Sequence, residues 1–225
     1  DAFEERLVEA ARLWTDDLRQ ACVDHWGEAE GLALYERFQE GFPAGYQDLF
    51  GAATAVGDIL KINELGDAGD IAMKLYVQID APEGMLHFKV YPPDEPVPLS
   101  DILPMLENMG FKVIEENPYL IAPAGEEKSF WIHDFSMIRR DGLEIDAVAM
   151  KERFQECFAK VWSGDVEDDG FNGLVAATGL TWREVSVLRA YCKFRLQAWK
   201  AFSQPYMEET LARHSSLTRK LIDLF

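Results

Sequence analysis

At Ile71 the apolar residues of this sequence stop recurring at helical spacing and begin to alternate: Ile71, Met73, Leu75, Val77 and Ile79 take one side, Lys74, Gln78 and Asp80 the other. That period predicts a half-buried strand over Ile71–Asp80. Ala81-Pro82-Glu83-Gly84 supplies turn chemistry and Met85–Tyr91 a second strand, so the two form an antiparallel hairpin. A Pro-rich loop, Pro92–Pro98, leads to a helix over Asp101–Met109, with Ser100 as its cap, Pro104 tolerated in its first turn and Gly110 as its stop. Strands over Phe111–Ile121 and Ser129–Arg139 and a helix over Asp146–Trp162 complete the segment. The order β-β-α-β-β-α fits a four-stranded antiparallel, ferredoxin-like sheet with both helices on one face, an α+β fold. In a ferredoxin-like unit the last strand ends the chain. Here the opening strand is expected to take that place beside Met85–Tyr91, as in a circular permutation.

The flanks read as helical. From Phe3 to Gly27 apolar residues such as Trp14, Leu18 and Cys22 recur at helical spacing; helices over Gly31–Gln39 and from Gln47 to about Leu60 follow. Residues 1–65 are therefore an N-terminal helical segment, 71–163 the α+β domain and 165–225 a helical connector. The connector's main helix starts at Thr181-Trp182-Arg183-Glu184, where Thr and Glu match a capping box, and runs to Pro205. On a wheel Ser186, Arg189, Lys193, Gln197 and Lys200 form a narrow polar stripe, and the rest is nearly all apolar. Arg195 falls within the apolar arc, so a carboxylate partner is expected for it. So wide an apolar surface serves as core or as a docking face.

Forty acidic against 22 basic residues give a net charge of −18, which argues against nucleic acid as a partner. No apolar run is long enough to cross a membrane, and three scattered cysteines, Cys22, Cys157 and Cys192, fit a reducing cytoplasm. The start at Asp1 and the apolar end Leu221–Phe225 read as a segment of a longer polypeptide. Neither GxGxxG nor GxxxxGK occurs, and no HExxH or CxxC, so no cofactor or metal site is assigned. The pair His133-Asp134 is the most suggestive chemistry. Neighbours on a strand point to opposite faces, however, and cannot by themselves form an acid–base diad. The residues expected at interdomain or regulatory contacts are His133, Asp134, Arg183, Arg189 and Arg195, and no catalytic residue is assigned.

The stretches LHFKVYPPDEPVPLSDILPMLENMGFKVIEENPYLI, FWIHDF, GLTWREVSVLRAY and AFSQPYMEETLARH together resemble the large NAD-specific glutamate dehydrogenases of bacteria, over most of residues 71–225. The resemblance implies an ACT-like domain and a helical connector upstream of the catalytic region, in an oligomeric enzyme that converts glutamate to 2-oxoglutarate and ammonia with NAD. Partners would be the remaining domains of the same chain and further copies of it. Two departures stand out. The loop Pro92–Pro98 lacks the glycine that lets an amino-acid effector approach the backbone, which argues against amino-acid sensing. Arg195-Leu196 stands in the reverse of the Leu-then-basic order associated with the family. A stand-alone ACT-like amino-acid-binding module is the alternative reading.

Overall fold

The computed structural model describes residues 13–65, 71–78, 81–93, 95–143, 146–198 and 202–224. The described chain falls into two compact units. One comprises the helices before residue 72 with Val90–Pro96 and Pro118–His133, the other Met73–Lys89, Val97–Asn117 and the chain from Asp134 onward. No described helix is long and apolar enough to cross a membrane.

In the first unit, α1 (Trp14–Trp26) and α2 (Glu28–Phe38) pack closely at Gly31, where a Cβ would lie 2.5 Å from the Cys22 carbonyl oxygen. The single helix expected over 47–60 is instead two, α3 (Ala44–Leu49) and α4 (Ala52–Glu64). Phe50 adopts an extended conformation between them, and its carbonyl accepts a hydrogen bond from the Trp14 indole at 2.8 Å. The unit's core is aromatic: Tyr46 lies 4.7 Å from Phe42, 4.8 Å from Phe50 and 5.3 Å, edge-on, from Tyr119. Within it Asp58, fully buried, accepts the hydroxyls of Tyr46 at 2.5 Å and Tyr91 at 2.8 Å. A buried carboxylate is tolerable only when hydrogen-bonded in this way.

The strands are β1 (Ala72–Tyr76), β2 (Met85–Tyr91), β3 (Phe111–Ile121) and β4 (Phe130–Arg139), in the order β1-β2-β4-β3. The opening strand takes the edge beside β2, so the sheet is the permuted ferredoxin-like arrangement that the element order implies. β1 stops at Tyr76, four residues short of expectation; Val77 is already exposed, and Ile79 and Asp80 lie outside the described residues. In the second unit α6 (Ala147–Trp162) sets Phe154 and Phe158 edge-on against Phe88 of β2, with Phe154 also against Phe111 of β3, at 4.9–5.2 Å. Each such aromatic pair is worth about 0.5–1.5 kcal/mol beyond the area it buries.

Between them α5 runs over Leu99–Asn108, two residues ahead of expectation. Pro98 stands at the cap position, and Ser100 donates its hydroxyl to Asp101 at 3.1 Å instead of capping. Pro104 consequently falls in the second turn rather than the first. The stop is as anticipated: Gly110 adopts φ +91°, which a side chain would strain. The C-terminal part continues through a 3-10 turn (Gly170–Asn172), α7 (Gly173–Thr178), α8 (Trp182–Ala198), α9 (Gln204–Arg213) and α10 (Ser215–Ile222). Trp199 and Lys200, expected within the long helix, lie outside the described residues.

Candidate functional site

β2 reads Leu-His-Phe-Lys-Val-Tyr from Leu86, an alternation that turns Phe88 to α6 and His87 and Lys89 to the opposite side. There, in the second unit, a polar cluster forms. The Tyr76 hydroxyl donates to both oxygens of Asp134 at 3.1 Å, and His87 Nδ1 lies 3.5 Å from Asp134 and 3.4 Å from the Ser136 hydroxyl. The Tyr76 and His87 rings are 5.2 Å apart, and the buried Lys89 ammonium stands 5.7 Å from the Tyr76 ring. Asp134 is thus committed to internal partners. His133, also buried, stacks on Trp131 at 6.1 Å. The Trp131 ring thus lies against His133 while the Tyr76 hydroxyl bonds Asp134, in keeping with strand alternation. Among the described residues no three His, Cys, Asp or Glu side chains are placed to hold a metal ion.

The second cluster lies in the C-terminal helices. Thr181 and Glu184 close a capping box: the Thr181 amide donates to the Glu184 carboxylate at 2.7 Å, and the Glu184 amide donates to the Thr181 hydroxyl at 3.3 Å. The Thr181 backbone hydrogen bond holds the Glu184 carboxyl below the usual range, with Arg219 and Arg153 adding a smaller pull. One turn on, Arg189 is buried. Its Nε donates to both oxygens of Asp169 at 3.0 Å, its Nη2 to Asn172 at 2.6 Å, and its guanidinium lies 5.8 Å from the Phe171 ring. Asn172 in turn donates to the Glu167 carbonyl at 2.9 Å, and Gln204 of α9 reaches Asp169 at 3.4 Å and Glu208 at 2.8 Å. This hub ties the 3-10 turn, α8 and α9 together with charge-assisted bonds, roughly twice as strong as neutral ones.

The wheel is therefore inverted at its key positions. Arg189, placed by its polarity on a solvent stripe, is buried, because Asp169 and Asn172 meet it across a turn 17–20 residues away. Arg195 is exposed, and among the described residues no carboxylate pairs with it, since the arc assigned as apolar faces outward there. On that outward face Val187, Tyr191 and Phe194 are 39, 53 and 67% exposed. Arg183 is exposed too and lies over the Trp182 ring at 4.7 Å. Of the five expected contact residues, the fold brings none together: His133, Asp134 and Arg189 serve internal packing, and Arg183 and Arg195 lie on the surface of α8. The sequence reading names Asp134 and Arg189 but not their partners: Tyr76, His87 and Ser136 for the first set, Asp169 and Asn172 for the second. The alternation of β2 and β4 marks the first set; no local signal marks the second.

Three family models match stretches of this chain. Residues 70–150 match the family model described as glutamate dehydrogenase, ACT3 domain; 166–225 match glutamate dehydrogenase, helical motif 3; and 21–65 match helical motif 2. The NAD-specific glutamate dehydrogenase of Halomonas elongata is 40% identical over 223 residues, covering 99% of this chain and 14% of that protein. That of Pseudomonas aeruginosa is 37% identical with the same coverage, and that of Mycobacterium tuberculosis 35% identical over 227 residues, 97% of this chain and 13% of the relative. The chain thus spans about one-seventh of the length of these curated relatives.

Proposed function

We propose that this chain, which belongs to the NAD-specific glutamate dehydrogenase family, is a non-catalytic assembly or regulatory segment of an enzyme that oxidises L-glutamate to 2-oxoglutarate and ammonia with NAD. Its three parts are the helical segment 1–65, the ACT-like domain 71–163 and the connector 165–225. The observation that carries the reading is the direction in which the polar side chains point. His133, Asp134 and Arg189 are spent on internal contacts that stiffen strands and helices, and none is left converging on a reacting atom. A general base must stand within about 2.6–3.2 Å of the proton it takes, in reach of a substrate. Groups locked into a scaffold do not meet that condition.

NAD binding and the chemistry of glutamate oxidation belong, on this reading, to the rest of the polypeptide, and the enzyme works in the cytoplasm as an oligomer. What the segment contributes is a scaffold: in its second unit, Phe88 and Phe111 are held by α6 and the connector is tied at Arg189. Titration calorimetry tests it. The full-length enzyme binds NAD and glutamate, and the 225-residue chain, checked for a cooperative melt, binds neither; binding of either ligand to the chain would put part of the substrate site within it and end the reading.

A further inference from the structure

β1 stands at an outer edge of the sheet, beside β2. Along an edge strand every second residue turns its N–H and C=O away from the neighbouring strand, where a further strand could pair with them. On β1 that outward set includes Leu75, whose N–H donates to the Gln155 side-chain oxygen of α6 at 2.8 Å. Leu75 is 1% exposed, so its donor is shut off from water and needs a partner within the protein.

The helix places Gln155 for this task. Phe154 and Phe158 set α6 onto Phe88 of β2, and Gln155 follows Phe154 by about 100° around the helix, on the flank of the buried face. From that flank its side chain reaches β1, the strand next to β2. With a period of two, the outward residues of a strand running Ala72–Tyr76 are Met73 and Leu75. A strand added here would need the Leu75 N–H for one of its own carbonyls, and Gln155 already holds it. We infer that Gln155 is a latch that closes the β1 edge of the sheet to pairing with any further extended segment.

The test uses the full-length enzyme in two variants. Gln155→Leu keeps the bulk of the side chain and removes its acceptor, whereas Gln155→Glu keeps an acceptor oxygen. Hydrogen exchange is followed in peptides covering β1 and β4, and native mass is followed by light scattering over a range of concentrations. In Gln155→Leu, exchange in β1 is expected to be about ten-fold faster with β4 unchanged, as for the local loss of one hydrogen bond. Its native mass is expected to climb with concentration above that of wild type, and Gln155→Glu is expected to match wild type in both readings. Unchanged exchange in β1 overturns the proposal, because Gln155 would then not hold the Leu75 N–H. Faster exchange at a wild-type native mass overturns it as well, making Gln155 a packing contact and not a latch. So does equal acceleration in β4, which would make the residue a support of the whole sheet.

Discussion

Asp58 and Glu184 show how differently two carboxylates can serve one fold. Asp58 accepts from two tyrosine hydroxyls, so Asp58→Ala removes that acceptor from two buried donors, each such loss costing about 1–3 kcal/mol. A loss of about 3 kcal/mol in urea unfolding is expected, and a smaller one for Asp58→Asn, which keeps an acceptor. Glu184 lies at the start of α8, and its lowered pKa has a pH signature. Its contribution is fully present above the unfolded carboxylate range and is lost as pH falls through the lowered folded value. The stability gap between wild type and Glu184→Ala should therefore be open at pH 7 and narrow toward pH 3. Thr181→Ala, which removes the reciprocal acceptor, is expected to cost about 1 kcal/mol. The thiols make a third case: burial pushes Cys22 up to about 11 and Cys157 up to about 12. Because the thiolate is the reactive form, a disulfide reagent at pH 8 should label Cys192, half-buried, ahead of both. Rapid native-state labelling of Cys157 would contradict the packing of α6.

Among the elements, α6 carries a dense aromatic contact: Phe154 meets both Phe88 and Phe111 edge-on. Phe154→Ala should cost about 3–5 kcal/mol, the usual price of a large core aromatic, measured by denaturant melts against Val148→Ala, an exposed position on the same helix. How much of this architecture could be read beforehand depends on the range of the interaction. The second hairpin strand, the capping box and the Gly110 stop are local, set by alternation and by residues three or four apart, and they stand where the pattern puts them, whereas β1 ends at Tyr76, short of the expected Asp80. The permuted strand order was legible because few topologies accommodate β-β-α-β-β-α. The break at Phe50 was not, since the extended residue there is held by an indole 36 positions away. Nor was the burial of Arg189: a helical wheel equates polarity with exposure, and a guanidinium with a carboxylate and an amide waiting 17–20 residues back violates that rule at little cost. The same error placed Arg195 inside.

For the whole molecule, the buried hub describes a connector fixed inward at Arg189, with Val187 and Phe194 exposed on the same helix. The account's central claim is that these residues shape the enzyme without touching its substrates. Arg189→Ala in the full-length enzyme tests it most directly. Removing one partner of a buried ion pair costs about 3–5 kcal/mol locally and should loosen α8 from Asp169 and Asn172. The measurement is native mass by light scattering beside steady-state KM for glutamate and for NAD. The account predicts a changed native mass or a changed kcat with both KM values within about two-fold of wild type; a ten-fold rise in either KM with native mass unchanged would contradict it.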